Sequence, residues 1–235
     1  MPTQASDLDP AALHREGEWA RPAECLAEGI EAMGLDIDEN KQGQMLAYLA
    51  LLARWNRAYN LTAITEPMAM VDRHLLDSLS ICPWIPDGLV VDAGTGAGLP
   101  GVVLAIAGAG EAFVLVDSNG KKVRFIRQAC RSLGLDRVSP IQGRIESVSL
   151  DEPPRVVVAR ALAPLGRLVA WTQHWLDTGT VLLAMKGDLQ ETEIDQVPAS
   201  YNVSIQVLKS ADPTLTRRLA LVGRAEAIER LESKP

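Results

Sequence analysis

The sequence has few cysteines and no long apolar run. Its 235 residues include three cysteines, Cys25, Cys82 and Cys130, and no CxxC pair. An odd and widely spaced set of cysteines argues against a disulfide framework and against a zinc site, so we expect no metal ion. No apolar run approaches the ~18 residues of a membrane span, and the N-terminus lacks a basic segment followed by an apolar one. The sequence therefore predicts a reducing, cytoplasmic location and no membrane partner.

Basic residues are scarce at the N-terminus and concentrated in one later segment. The net charge is −7, and residues 1–50 contain 3 basic and 10 acidic side chains. Residues 121–144 instead contain seven lysines or arginines and one acidic residue, Asp136. A local basic segment attracts an anionic partner whatever the total charge is, so the net charge does not exclude nucleic acid. A solvated helix face is the alternative interpretation of this segment.

The first third of the chain shows the apolar spacing of helices. We expect residues 1–20 to form a flexible acidic tail and residues 21–85 to form an N-terminal helical region. The predicted helices of this region are 22–34, 38–58 and 66–81. Thr65 is the candidate N-cap of the last helix, because Pro67 is tolerated in a first helical turn.

From residue 86 to residue 227 short apolar runs alternate with amphipathic stretches. The predicted strands are 89–93, 113–117, 139–143, 155–160, 180–187, 202–208 and 218–223. The predicted helices between them are 100–108, 120–133, 164–176 and 188–196. This alternation predicts an α/β fold with a mostly parallel, doubly wound sheet, and the last two strands form an antiparallel hairpin. We expect residues 228–235 to be a C-terminal tail.

The stretch VVDAGTGAGLPG, residues 90–101, follows the first predicted strand. Gly94, Gly96 and Gly98 would let a ligand lie against bare backbone at the carboxyl end of the sheet. GAGLPG matches the dinucleotide fingerprint GxGxxG, with Asp117 about 20 residues further on. DAGTGAG, beginning at Asp92, resembles instead motif one of S-adenosylmethionine-dependent methyltransferases. Asp92 would suit their cationic cofactor, and Asp117 would accept hydrogen bonds from a ribose in either case.

Six sequence motifs together indicate a more specific family resemblance. They are NLTAIT (60–65), RHLLDSL (73–79), DAGTGAGLPG (92–101), LVDSNGKKVRFIRQ (115–128), ARALAPL (159–165) and AMKG (184–187). In this order and spacing, from about residue 40 to residue 190, they resemble the bacterial 16S ribosomal RNA guanine-N7 methyltransferases, also called the glucose-inhibited division protein B family. Asn119 stands where that family usually has leucine. The resemblance implies a Rossmann-like methyltransferase fold with seven strands and an N-terminal helical extension.

The resemblance also implies a pocket for S-adenosylmethionine. Gly94 and Leu99 would line it, Ile145 and Glu146 would flank the adenine, and Arg160 would face the transferred methyl group. The remaining expected cofactor residues are Asp92, Gly96, Asp117 and Ser118. Arg160 and Lys186 are the candidates for positioning the substrate. For Ile145 a core role, and for Lys186 a structural role, stay open, and His74 and Asp77 are expected to hold the helical segment to the sheet.

The partner that the resemblance implies is 16S ribosomal RNA, within the small ribosomal subunit or free, bound by a monomer. The candidate RNA-binding residues are Lys121, Lys122, Arg124 and Arg144. Arg124, Arg127 and Arg131 share one helical face, where a solvated surface and a contact to RNA phosphates both remain open.

The sequence lacks the motifs of two other kinds of base methylation, which limits the atoms that it could methylate. The fourth strand ends in ARAL rather than in the DPPY or NPPY of amino-group methylation, and no Pro-Cys supplies a nucleophile for cytosine C5. Guanine N7 needs neither, because its lone pair is free and carries no proton. The alternatives are methylation of another RNA or a small molecule, an NAD-dependent oxidoreductase, and a non-catalytic RNA-binding module.

Overall fold

A seven-stranded sheet forms the centre of the computed structural model, which describes residues 18–209 and 216–233. The strands are β1 (Leu89–Ala93), β2 (Ala112–Asp117), β3 (Val138–Gln142), β4 (Val156–Arg160), β5 (Val181–Lys186), β6 (Asn202–Leu208) and β7 (Arg217–Gly223). Their order across the sheet is β3-β2-β1-β4-β5-β7-β6. Strands β1 to β5 are parallel, and β7 is antiparallel to β5 and β6. The predicted α/β class and the C-terminal hairpin are confirmed.

The helices cover both faces of this sheet. They are α1 (Ala20–Met33), α2 (Glu39–Tyr59), α3 (Pro67–Met70), α4 (Asp77–Leu79), α5 (Gly101–Ala107), α6 (Gly120–Leu133), α7 (Leu165–Leu176), α8 (Glu191–Ile194) and α9 (Ala225–Glu232). Strands β1 and β4 are apolar except for Asp92 and Arg160, because both of their faces are covered. Each face of the sheet packs into its own apolar cluster.

The N-terminal helical region is joined to the sheet by a shared core. Tyr48, Leu49 and Leu52 of α2 are fully buried, and they belong to the same cluster as Val90 of β1 and Phe113 of β2. Helix α2 begins where Asp38 accepts a hydrogen bond from the Lys41 amide, as an N-cap does. The helical region is therefore held against the side of the sheet on which α5 and α6 lie.

The predicted helix 66–81 differs from the structure in its cap and in its winding. Its N-cap is Glu66 rather than Thr65, because the Glu66 carboxylate accepts hydrogen bonds from the amides of Met68 and Ala69 at 3.1 and 2.7 Å. Between α3 and α4 the chain forms a π-helical turn, Val71–Leu76. The turn widens because the Asp77 amide donates to the Asp72 carbonyl, five residues back.

The chain ends also differ from prediction. The expected tail 228–235 is wrong for its described part, because α9 extends to Glu232 and buries Ile228 and Leu231 against the core. Residues 1–17 of the expected acidic tail 1–20 lie outside the described residues. In the remaining part Trp19 is buried, just before α1 begins. The predicted helix 188–196 is shortened to α8, which Gln190 precedes in an extended conformation.

No helix among the described residues is both long enough and apolar enough to cross a membrane.

Candidate functional site

The loop between β1 and α5 adopts a backbone conformation that requires glycine. Gly94, Gly96 and Gly98 have φ angles of 64°, 62° and 102°, in the left-handed region that L side chains rarely adopt. A Cβ atom at Gly94 would also overlap the side chain of Leu162. One at Gly98 would lie 2.5 Å from Cγ2 of Val102. The glycines that the sequence singled out are therefore needed for the shape of this loop.

Asp92 lies beneath the loop and holds its two ends together. Its Oδ2 accepts hydrogen bonds from the Thr95 hydroxyl at 2.6 Å and from the Gly101 amide at 2.8 Å. Its Oδ1 is buried and accepts no hydrogen bond from any described residue. Complete burial raises the pKa of this carboxyl to about 6, although both hydrogen bonds and Arg160 oppose the rise. Asp92 does not line the open cavity described below.

Asp117, at the end of β2, fixes the other side of the loop. Its Oδ2 accepts a hydrogen bond from the Gly96 amide at 2.9 Å, and its Oδ1 accepts one from the Asn119 amide at 2.8 Å. The hydroxyl of Tyr48 on α2 donates to the Ala97 carbonyl at 2.8 Å. The sequence does not single out Tyr48, because nothing in its helix distinguishes it from an ordinary core residue.

A cavity of about 510 Å³ opens between the glycine loop and the carboxyl ends of β4 and β5. Gly94, Gly96 and Leu99 line it from the loop, while Leu61, Thr62 and Ile64 line it from the segment after α2. Its basic lining residues are Arg73, Lys122, Arg160, Lys186, Arg217 and Arg218. Asp77 is the acidic residue among the described residues that line it. A cavity with this excess of positive charge favours an anionic ligand.

Arg160 is held at the wall of this cavity by the helical region. Its Nη1 donates hydrogen bonds to the Arg73 carbonyl at 2.9 Å and to Asp77 Oδ2 at 3.0 Å. The other oxygen of Asp77 lies 2.8 Å from Nε of Arg217 on β7. Asp77 thus joins the helical region to two strands, which agrees with the expected structural role of this residue.

His74 lies beside this arrangement and is buried. Its Nε2 is 3.0 Å from the hydroxyl of Thr62, within hydrogen-bond distance. Burial, and secondarily the charge of Arg160, lower the pKa of this imidazole to about 4. His74 is therefore neutral at physiological pH, and its contact with Thr62 ties the helical turn to the loop after α2.

Lys186 lines the cavity, but its amine is bound within the protein. Nζ donates to the Ala163 carbonyl at 3.0 Å and to Oε2 of Glu193 at 2.7 Å. Glu193 also accepts a hydrogen bond from the Leu165 amide, and its pKa is lowered chiefly by the hydrogen bond from Lys186. Both contacts are within the protein, as expected if the role of Lys186 is structural. Glu193, on α8, is not identifiable from the sequence.

The residues expected around an adenine lie on the other side of the loop, beyond β1. Ile145 is 5 % exposed and belongs to the apolar cluster that does not contain the loop. Glu146 and Ser118 are exposed, and Oε1 of Glu146 lies 3.8 Å from Nη1 of Arg144. None of these residues lines the open cavity. A ligand that reaches both groups of residues must therefore extend across the glycine loop.

The basic segment 121–144 divides into exposed and structural residues. Lys121, Arg124, Arg127 and Arg131 are exposed on α6, as the helical spacing predicts, and Arg144 is exposed after β3. Lys122 instead turns toward the glycine loop, with Nζ 3.9 Å from Asp117. Arg137 does not belong to the exposed basic surface. It donates hydrogen bonds to the carbonyls of Gly110 and Ala105, and its guanidinium lies over the Phe113 ring.

Within residues 18–209 and 216–233, no group of three or more His, Cys, Asp or Glu side chains could hold a metal ion.

The sequence model of the rRNA small subunit methyltransferase G family matches residues 41–219. The chain is 44 % identical over 202 residues to the ribosomal RNA small subunit methyltransferase G of Marinobacter nauticus, covering 86 % of this chain and 94 % of that protein. It is 48 % identical over 186 residues to the protein of the same name from Stenotrophomonas maltophilia, covering 78 % and 86 %.

A solved structure supports the fold. The crystal structure of magnesium protoporphyrin IX methyltransferase from Synechocystis PCC 6803, with bound SAM, matches with a TM-score of 0.54. The match covers 73 % of this chain and 90 % of that chain at 18 % identity. At this identity the match shows that the two proteins share a fold.

Proposed function

The chain belongs to the rRNA small subunit methyltransferase G family, and we propose that it methylates N7 of a guanine in 16S ribosomal RNA, with S-adenosylmethionine as methyl donor. The family membership confirms the resemblance that the sequence motifs indicated. The observation that carries the proposal is the basic cavity that opens directly onto the glycine loop. A phosphate-rich substrate would be attracted to the side of the loop at which a methyl donor would be exposed.

The glycine loop fits the proposed cofactor. S-adenosylmethionine supplies, when bound, an electrophilic methyl group on a positively charged sulfur. Gly94, Gly96 and Leu99 would hold it from the loop, where the two glycines have no side chain to keep a ligand away from the backbone. The buried, unpartnered Oδ1 of Asp92 adds negative potential beneath this surface.

The nucleoside end of the cofactor belongs, in this proposal, on the β2–β3 side of the loop. Asp117 retains lone pairs for ribose hydroxyls beside its two backbone hydrogen bonds. Ser118, Ile145 and Glu146 follow β2 and β3 and would surround the adenine. In this placement the nucleoside end contacts the residues on the β2–β3 side of the loop, and the methyl group faces the cavity on the other side.

The proposed reaction requires the guanine base to be oriented, and it requires no proton transfer. Guanine N7 carries a free lone pair, so the enzyme has only to place it in line with the methyl group. His74 is neutral, and its ring already meets Thr62. Arg160 is the proposed contact for the base or its phosphate. The amine of Lys186 is bound to Glu193, so Lys186 would help to shape the cavity wall rather than contact the substrate with its charge.

Transfer of a labelled methyl group from S-adenosylmethionine to RNA tests the proposal. Small-subunit ribosomal RNA should accept a labelled methyl group from S-adenosylmethionine in the presence of the wild-type protein, and large-subunit RNA should not. Arg160→Ala should lose most of the transfer while it remains folded. Arg230→Ala, an exposed arginine on α9, is the matched control and should retain full activity. Equal labelling by wild type and Arg160→Ala would contradict the role of Arg160.

A further inference from the structure

The π-helical turn Val71–Leu76 leaves the Arg73 carbonyl, beside the cavity, without the hydrogen bond that it would accept in an α-helix. In an α-helix the Asp77 amide would donate to the Arg73 carbonyl, four residues back. Here that amide donates to the Asp72 carbonyl instead. The Arg73 carbonyl accepts a hydrogen bond from Nη1 of Arg160 at 2.9 Å. The irregular winding thus provides the acceptor that a regular helix would have used internally.

The same turn places the Asp77 carboxylate between two arginines. Its oxygens lie 3.0 Å from Nη1 of Arg160 and 2.8 Å from Nε of Arg217. All three side chains are largely buried, with exposed fractions of 13 % for Asp77, 18 % for Arg160 and 28 % for Arg217. Screening by water is weak at such exposure, so these pairs fix the side chains more firmly than surface ion pairs do.

Arg160 needs such fixation because its side chain is long and flexible. A planar guanidinium bound at Nη1 by two acceptors presents its other N–H groups in a defined direction. Replacement of the carboxylate by an amide would leave one neutral oxygen for two arginines, so the Arg73 carbonyl alone would hold Arg160 as it does now. The guanidinium could then rotate away from the cavity. π-helical turns in proteins are frequent at functional sites, where they place groups that an α-helix would misplace.

We propose that Asp77 is a positioning residue for the methyl-transfer reaction. Together with the Arg73 carbonyl, it holds the guanidinium of Arg160 in the orientation that the substrate requires, and its other oxygen binds Arg217, which also lines the cavity. The inference rests on the proposed function, because the orientation matters for transfer to RNA. It goes beyond the structural role expected for Asp77, since it ties the carboxylate to turnover.

Steady-state kinetics of Asp77→Asn test the inference. We expect the kcat for methyl transfer to fall on the order of 10²-fold, as for other misplaced orienting groups. The dissociation constant for S-adenosylmethionine should change by no more than a few-fold, because Asp77 lies away from the glycine loop's own hydrogen bonds. Asp151→Asn is the matched control and should be fully active, because Asp151 is exposed and does not line the cavity.

Nitrogen-15 spectra of the arginine side chains give a readout that does not depend on activity. In the wild type the two Nη atoms of Arg160 should give separate resonances, because rotation about the Nε–Cζ bond is hindered. The signals are assigned by their loss in Arg160→Lys. In Asp77→Asn they should merge. A single averaged Arg160 signal in the wild type would overturn the inference even if Asp77→Asn failed to fold.

The outcomes separate the inference from the proposed function. A wild-type protein that transfers no methyl group to ribosomal RNA would refute the proposed function and the inference together. An active wild type with an equally active Asp77→Asn would refute the inference alone. The inference is supported if Asp77→Asn loses kcat and its two Arg160 resonances merge, while Asp151→Asn keeps the wild-type kcat.

Discussion

Two buried ionisable residues near the cavity have opposite effects on stability as pH changes. Burial raises the pKa of Asp92 to about 6 and lowers that of His74 to about 4. Between about pH 4 and 6 the folded state holds a proton on Asp92 that the unfolded chain has released. Over the same range the unfolded chain holds a proton on His74 that the folded state excludes. The stability due to Asp92 is therefore lost as pH rises, and that due to His74 is lost as pH falls.

Single substitutions should separate these two contributions. His74→Gln should become less stable, relative to wild type, as pH rises from 4 to 6, because Asp92 alone remains to titrate. Asp92→Asn should become more stable, relative to wild type, over the same range. Each difference should amount to roughly 2–3 kcal/mol at the end of the range. Urea unfolding at several pH values measures it, and parallel pH curves for wild type and both variants would contradict the account.

Gly94 is the residue at which a side chain should harm cofactor binding most. Gly94→Val should abolish measurable binding of S-adenosylmethionine, because a branched residue is strained at a φ of 64° and its Cβ overlaps Leu162. Isothermal titration calorimetry measures the binding. Gly134→Val is the matched control, since Gly134 has a φ of 66° with open space around it at the end of α6. Equal binding by both variants would refute this role of the loop.

At the scale of elements, local signals account for what the sequence predicts. Helix α6 has the bounds that the sequence predicts, because its apolar face repeats regularly, Asn119 caps its first turn and Gly134 ends it in a left-handed conformation. The cap of the helix at Pro67 is harder to predict, because Thr65 and Glu66 are both compatible with a following proline. The structure chooses Glu66, whose two carboxylate oxygens both bind backbone amides.

The part of the site that could not be predicted depends on contacts between distant elements. The π-helical turn exposes the Arg73 carbonyl to Arg160, which lies 87 residues further along the chain. No periodicity within RHLLDSL encodes that partner. The pairing of Lys186 with Glu193 likewise depends on where the short helix α8 begins. The glycine loop, in contrast, is predictable because the need for bare backbone is local.

The exposed basic face of α6 should act through long-range attraction to RNA. Replacement of Arg124, Arg127 and Arg131 by glutamine should flatten the dependence of log affinity on log salt concentration, by about 0.7 to 0.9 for each phosphate that the variant no longer neutralises. Fluorescence anisotropy on small-subunit RNA fragments measures the slope. A triple glutamine variant at the exposed residues Arg21, Arg155 and Arg230 is the charge-matched control. The same slope for wild type and the α6 variant would favour the solvated-face interpretation.

At the scale of the whole molecule, the candidate site is built by both the sheet and the helical region. The sheet supplies the glycine loop and Arg160, while the helical region supplies Arg73, Asp77 and the segment after α2 that lines the cavity. The acidic N-terminal part of the sequence makes the net charge −7, yet the cavity itself is basic. Net charge therefore describes the molecule poorly, and the local arrangement of charge decides which partner it attracts.

The atom that receives the methyl group distinguishes the proposed reaction from other base methylations. Mass spectrometry identifies that atom in nucleosides from small-subunit ribosomal RNA that has been incubated with the wild-type protein and S-adenosylmethionine labelled in its methyl group. We expect labelled 7-methylguanosine as the product, and no labelled product from the same RNA when 7-deazaguanine replaces guanine, because that base has no N7 lone pair. A labelled methyl group on any other nucleoside, or on the 7-deazaguanine RNA, would show that the protein methylates another atom.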